Sequence, residues 1–300
     1  MNIKPKWDVC QFNRQIIPVF LSCLKHFCYN IFIVTCKKLP DKEGIFMALN
    51  IVRFNVNISK DKPENIVHRE NSCPFCSPET LTNVIETKDG MIFLRNKYNV
   101  IEGADQFVLI EGSCCEADMP DYSKEHMRDL IRFGLKHWKQ LEDTGRYEDV
   151  IFFKNHGLFS GGTMRHPHMQ IVAFEHIDPS LMIEPESFEG PPIAEKDGVI
   201  INASTHPRLG FGEFNIIAPA DPPDAFADYI QATTAFLTTR FKKSRDSYNI
   251  FFYHLGDKIA AKLMPRFPTS PFYVGYNIRL LSTNFEAVCE AFKKLLQQSA

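Results

Sequence analysis

Three hundred residues with 44% hydrophobic and 23% charged side chains carry enough apolar content for one large core or two moderate ones, which excludes an intrinsically disordered chain. A formal charge of -2 supplies no broad basic field, so a nucleic-acid partner is not expected and any phosphate ligand must be held by local donors. Nine cysteines, an odd number at irregular spacing in a chain far larger than disulfide-dependent miniproteins, argue for reduced thiols and a cytoplasmic setting.

At the start of the chain, Ile16 to Cys36 is apolar but broken by Lys25, His26 and Asn30, with no small-residue cleavage site after it. That makes a poor signal peptide and a poor transmembrane helix, and no membrane association is expected. Lys42-Glu43-Gly44, whose codons can spell a purine-rich ribosome-binding sequence, stands just before Met47. The expectation is that translation starts at Met47 and that residues 1–46 are a mistranslated leader or an unstructured extension; a membrane-associated leader and an extra structured segment are the alternatives.

Asp89-Gly90 is a hairpin signal between Val84-Ile85 and Met91-Ile92-Phe93-Leu94, and Phe107 to Ile110 reads as a further strand. Ser123 can cap a long helix to Glu142, along which Met127, Leu130, Ile131, Gly134, Trp138 and Leu141 recur at helical spacing. Strands at Val150–Lys154 and His168–Phe174 close this half. Glu184 to Lys196, rich in Pro and Glu, reads as a linker or surface loop. The same order then recurs: strands at Val199–Ile201 and Phe214–Ile217, a helix from Pro222 to Lys242, a strand at Asn249–Tyr253, and a last helix from Phe285 to Leu296. Ile151-Phe152-Phe153 before Gly157 parallels Ile250-Phe251-Phe252 before Gly256, which suggests an internal duplication. The expected fold is α+β, two duplicated halves of antiparallel sheet flanked by long helices, divided into residues 47–183 and 184–300.

The most informative stretch is Lys154-Asn155-His156-Gly157-Leu158-Phe159-Ser160-Gly161-Gly162-Thr163-Met164-Arg165-His166-Pro167-His168-Met169-Gln170. A neutral imidazole is both a nucleophile and a leaving group near neutral pH, so a histidine here can split a phosphoryl exchange into two displacements. Gln170 falls on the same strand face as His168 and can donate an amide hydrogen to phosphoryl oxygens. Gly161, Gly162 and Thr163 offer backbone N–H groups and a hydroxyl to a phosphate, or simply form a tight turn. Cys73-Pro74-Phe75-Cys76 has the spacing of a metal knuckle and lacks the strand-to-helix setting of a redox pair; unliganded cysteines are the alternative.

This stretch resembles the active site of the galactose-1-phosphate uridylyltransferases of the histidine triad superfamily, with Asn-x-Gly, a small-residue loop and His-Pro-His-x-Gln in the same order, and the wider pattern extends the likeness from about Asp61 to about Leu280. The resemblance implies duplicated histidine-triad-like halves, with His168 as the nucleophile, its second ring nitrogen donating to a backbone carbonyl, and Gln170 favouring transfer over hydrolysis. It also implies that Asn96 and Asn155 hold the nucleotide or shape the site, although each equally suits a turn. It supplies His166 and a histidine before the long helix as further ligands of a structural Zn2+; no histidine stands there, and Cys115 falls at the matching place, giving Cys73, Cys76, Cys115 and His166, with Cys114 and His126 as substitutes.

The pattern breaks in the second half. Ala260-Ala261-Lys262-Leu263-Met264-Pro265 stands where the family has His-x-His, and Asn277 stands where a sugar-binding glutamate is expected, after Phe272 and Tyr276, which read as core aromatics on a strand, with ligand contact as the alternative. The expected function is nucleotidyl transfer between a nucleoside diphosphate sugar and a sugar phosphate, as in galactose metabolism, with room for a homodimer. The alternatives are a phosphorylase or hydrolase acting on an ADP-sugar or dinucleoside polyphosphate, and a non-catalytic, zinc-stabilised nucleotide-binding module.

Overall fold

Alternating apolar residues in each half build the same antiparallel unit, seen in a computed structural model that describes residues 51–179, 183–210, 212–240 and 247–299. The expectations for residues 1–46 and for a start at Met47 lie outside the described residues. The first half contains a short helix α1 (Val56–Lys60), strands β1 (Val84–Lys88), β2 (Met91–Arg95) and β3 (Ala104–Ile110), helix α2 (Lys124–Glu142), and strands β4 (Asp149–His156) and β5 (His168–Phe174). The second half repeats the order: β6 (Pro192–Lys196), β7 (Val199–Ala203), β8 (Phe214–Pro219), α3 (Asp224–Arg240), β9 (Tyr248–Leu255) and β10 (Lys258–Pro265), followed by α4 (Pro271–Tyr276) and α5 (Phe285–Ser299).

All strands join one 10-stranded antiparallel sheet in the order β1-β2-β3-β5-β4-β9-β10-β8-β7-β6. That order reads the same from either edge once β1–β5 are matched to β6–β10, so a pseudo-twofold axis runs through the β4–β9 pair. The expected α+β fold of two halves is therefore present. The sequence match around Gly157 and Gly256 is nonetheless out of step with this axis. Phe152 pairs with Phe252, and their rings stack at 4.4 Å on the helix side of the sheet. Matching Phe152 to Phe251, an odd spacing, would set equivalent side chains on opposite faces.

The three long helices, α2, α3 and α5, cover one face. Ser123 caps α2 by accepting from the His126 N–H at 3.2 Å, and Met127, Leu130, Ile131, Gly134 and Trp138 form its buried stripe. At Gly134 a Cβ would lie 2.5 Å from Phe152 Cζ, so glycine sets how closely this helix approaches the sheet. Burial of each large side chain here contributes about 1.5–3 kcal/mol.

Two sequence expectations fail in the second half. Glu184–Lys196 is not a surface linker: its 3-10 turn Pro185–Phe188 buries Ser187 and Phe188, and the segment ends in strand β6. This turn covers the face of the second half that corresponds to the cavity face of the first. There Lys262 is fully buried, its Nζ 3.1 Å from Glu213 Oε2, 2.7 Å from Ser187 O and 3.0 Å from Asn215 Oδ1. Phe272 and Tyr276 are not core strand residues either; they belong to the short helix α4 and are 56% and 78% exposed. Pro271 supplies the fixed φ of a helical first turn behind the Ser270 cap, which breaks the strand reading.

Candidate active site and metal cluster

On β5, period-two alternation sends Met169, Ile171 and Ala173 into the helix-covered core and leaves His168, Gln170 and Val172 on the opposite face. Neighbouring strands add Leu94, Val108, Phe153 and Asn155 to that face. A cavity of about 440 Å³ lies over them, roofed by Lys62-Pro63, Pro74-Phe75, Thr80 to Thr82 and Gly161 to Met164. By strand register, His168 and Asn155 sit at one end, and Val172, Ile151 and Phe174 line the other.

His168 is 7% exposed, and its Nδ1 lies 2.8 Å from the carbonyl oxygen of His166. A carbonyl can only accept, so Nδ1 carries the proton and Nε2 keeps its lone pair. Burial pushes the imidazole pKa down to about 4, outweighing the opposing effect of that carbonyl, so the ring is neutral at pH 7. Phe75 packs edge-on against it at 5.5 Å.

The amides around the cavity are oriented alike. Gln106 Oε1 accepts from the N–H groups of Val100 (2.7 Å) and Ile101 (3.3 Å), and Asn96 Oδ1 accepts from Tyr98 N–H (2.9 Å). Asn155 Oδ1 accepts from Asn249 Nδ2 at 2.6 Å. With these oxygens engaged, the NH2 groups are what remain for a ligand. Gln170 lines the cavity, and among the described residues its amide has no protein partner. Lys62 adds a cation to the lining, with its pKa lowered by burial.

The loop after β4 needs its glycines. Gly157 adopts φ +80°, and a Cβ there would meet Ser247 Oγ at 2.5 Å; Gly161 adopts φ +88°. Ser247 Oγ also accepts from Phe159 N–H at 3.1 Å, so the second half braces this loop. Of the backbone donors expected to face a phosphate, Gly162 N–H is engaged by Ser160 Oγ at 3.2 Å. Thr163 accepts through its carbonyl from Asn65 and Ile66 N–H groups, at 3.0 and 3.2 Å, which ties down the roof.

Behind the roof, Cys73, Cys76, Cys115 and His166 bring their ligand atoms within 4.8 Å of one another, a cluster able to hold a metal ion. His166 Nδ1 lies 3.5 Å from Cys76 Sγ, and its Nε2 lies 2.8 Å from Gly112 O. Nε2 is therefore the donor, and Nδ1 is the lone pair turned toward the sulfurs, the arrangement an imidazole ligand requires. Burial, reinforced by the neighbouring Cys73 and Cys115 thiols, pushes Cys76 up to about 12 without a cation. The proposed substitutes stand outside: Cys114 is exposed and not in the cluster, and His126 Nε2 lies 2.8 Å from Glu111 O. The described cysteines are all free.

On the helix side of β4, Lys154 is fully buried between Glu111, which it contacts directly, and Asp118, 3.0 Å away. Burial opposes every charge here. Lys154 still ends above its ordinary pKa because Asp118 and Glu111 hold it; Asp118, close to Lys154 and His156, ends far below the carboxylate range, and Glu111 ends raised by burial. The sequence reading missed this network, and also Lys62, Phe75, Gln106 and Asn249. Only Phe75, between the two knuckle cysteines, and Lys154, in the motif stretch, stood beside a visible signal.

Among the described residues, no helix is long and apolar enough to cross a membrane. No curated protein matches the sequence. Among solved structures, a uridylyltransferase shares 14% identity over 77% of this chain and 93% of its own, with TM-score 0.60. An ADP-glucose phosphorylase from Arabidopsis thaliana shares 14% identity over 75% of this chain and 91% of its own, also with TM-score 0.60. At that identity the likeness is one of fold. A DUF4931 family protein from Bacillus cereus is 40% identical, with TM-score 0.64, over 71% of this chain and 99% of its own. Residues 54–177 and 180–296 match the N-terminal and C-terminal domains of that same family, described as a domain of unknown function, and the chain therefore belongs to the DUF4931 family.

Proposed function

We propose that the protein transfers a nucleotidyl group through a covalent intermediate on His168, with residues 47–183 as the catalytic and zinc-binding half and residues 184–300 as a diverged repeat. The observation that carries this reading is the geometry of His168, whose ring lines the cavity while its Nδ1 is committed to the His166 carbonyl, which leaves Nε2 for the ligand. Nε2 attacks the α-phosphorus of a nucleoside diphosphate sugar; an N–P bond forms as the bond to the sugar phosphate breaks. The ring becomes cationic and keeps its Nδ1 proton on the His166 carbonyl. A phosphate oxygen of the second substrate then attacks phosphorus, the N–P bond breaks, and the neutral imidazole returns.

Gln170 and Asn155 donate amide hydrogens to the phosphoryl oxygens, Lys62 balances their charge, and Thr163 adds its hydroxyl. Gly161 and Gly162 let the loop approach closely, while Asn96 faces the nucleoside. Cys73, Cys76, Cys115 and His166 would hold a structural Zn2+, which would supply a closed tetrahedral tether between the Pro74-Phe75 roof and the His166 carbonyl that sets the His168 tautomer.

Uridylyl transfer to galactose 1-phosphate is the default of the resemblance. The second reading, phosphorolysis of an ADP-sugar or dinucleoside polyphosphate, is favoured by one observation: among the described residues, those that line the cavity all fall between Lys62 and Phe174, and the matching face of the second half is covered by the Pro185–Phe188 turn. A small acceptor such as inorganic phosphate needs no second-half subsite. Incubation with a panel of labelled nucleoside diphosphate sugars, followed by chase with sugar phosphates, phosphate or water, separates these readings. Release of the nucleotidyl group only to sugar phosphates supports transfer, and release to phosphate supports phosphorolysis. Nucleotide binding with no adduct across the panel removes both and leaves a binding module.

A further inference from the structure

The cavity's polar end receives help from the second half that no cavity-lining residue reveals. Asn249, on β9, is 1% exposed and faces Asn155 across the β4–β9 pair. Its Nδ2 donates to Asn155 Oδ1 at 2.6 Å and to Ser160 O at 3.1 Å, and its Oδ1 accepts from Arg266 Nη1 at 2.6 Å. Arg266 follows the last residue of β10, and its own N–H donates to Ser247 O at 2.8 Å.

The polarity of this row is forced from both ends. A guanidinium has donors and no acceptor, so the Asn249 amide must turn its oxygen to Arg266. A backbone carbonyl only accepts, so the same amide must turn its nitrogen to Ser160. Asn155 then meets a donor and must present Oδ1 to it, which leaves its NH2 for the cavity. If the amide were reversed, Asn155 would set a carbonyl oxygen beside the ligand's phosphoryl oxygens, and two acceptors would repel.

We infer that Arg266 and Asn249 are positioning residues: they form a directional relay that holds Asn155 as a hydrogen-bond donor to an anionic phosphoryl oxygen. The second half thus contributes the orientation of a donor in the first half's site. The ligand assignment rests on the proposed nucleotidyl transfer, whereas the amide orientation does not.

Two measurements on the full chain test the relay. Side-chain amide NMR of the wild-type protein should show Asn249 NH2 protected from solvent exchange and Asn155 NH2 exchanging quickly. Asn249→Asp replaces the donor with an acceptor of the same shape, so Asn155 should swing its nitrogen inward and one of its amide protons should become protected. Protection of Asn155 NH2 already in the wild type, or no change in the variant, overturns the relay; the wild-type spectrum decides even if the variant does not fold.

For the ligand, Asn249→Asp should weaken binding of a nucleoside monophosphate by tenfold or more, on the order expected for a lost hydrogen bond to a charged group, and leave the nucleoside unaffected. In an Asn155→Ala background the same change should add nothing. Equal losses for nucleoside and nucleotide, or full additivity, contradict action through Asn155. A protein that binds no nucleotide refutes the functional reading and the ligand assignment, while the exchange pattern still decides the relay.

Discussion

Lys154→Met gives the sharpest stability test, because it removes the cation from beneath the active-site strand pair without touching the cavity. In the native protein the ammonium is fully buried, 3.0 Å from Asp118 Oδ1 and in direct contact with Glu111. At an effective dielectric near 20, each such charge pair is worth about 5 kcal/mol, offset by the cost of burying the ions. The net loss on breaking a buried pair is about 3–5 kcal/mol, because uncompensated carboxylates stay behind. That corresponds to a drop in melting temperature of roughly 10 °C for a domain of this size.

The pH dependence follows from Asp118. Its folded pKa is depressed by Lys154 and His156, so its contribution is complete above its unfolded value near 4 and is lost as pH falls toward the folded one. Denaturant melts of both proteins should therefore show the largest gap at pH 7 and a narrower one below about pH 4. Adding Glu111→Gln to the variant should recover part of the loss. A gap under about 1 kcal/mol at pH 7, or one that does not shrink in acid, would refute the claim that the pair is ionised and coupled.

His168 is held down to about pKa 4, so formation of its adduct should be flat from pH 6 to 8 in single-turnover assays; an inflection near 6.5 would show an ordinary, solvated imidazole. The same shift makes native stability fall as pH drops below about 6.5, where the unfolded chain takes up this proton first. Cys115→Ser should cut bound zinc measured by elemental analysis, whereas Cys114→Ser should leave it intact, and equal zinc in both variants removes Cys115 from the ligand set. Gly157→Ala, at φ +80° and with Ser247 Cα 2.8 Å from the new Cβ, should cost about 3 kcal/mol. Gly145→Ala, at φ +62° in open space, should cost only about 1 kcal/mol, and similar losses by chemical denaturation would mean that the loop is not braced by Ser247.

What was legible in the sequence was local or carried by motif. The Ser123 cap, the Asp89-Gly90 turn and the apolar periods gave the first-half elements to within a few residues, because each depends on nearest-neighbour chemistry. That His168 and Gln170 share one cavity, and that the cysteine knuckle meets Cys115 and His166, was legible because few sequences set those residue types at that spacing. The rest depends on contacts distant in sequence. Asn249 and Arg266 look like ordinary strand and loop residues until β9 is laid against β4. The Pro- and Glu-rich composition of Glu184–Lys196 suggested solvent, but Ser187 and Phe188 are buried because Lys262 needs a carbonyl and a ring above it. Aromatic alternation at Phe272–Tyr276 suggested a strand, and the Ser270-Pro271 start made a helix.

The central claim is the phosphorus–nitrogen bond on His168. The direct measurement is intact mass of the full chain after brief exposure to nucleoside diphosphate sugars and an alkaline quench, which preserves a phosphoramidate. The account predicts a nucleoside monophosphate increment that maps to His168, disappears on brief acid treatment and is absent from His168→Asn. An increment that survives acid, or that persists in His168→Asn, would contradict it.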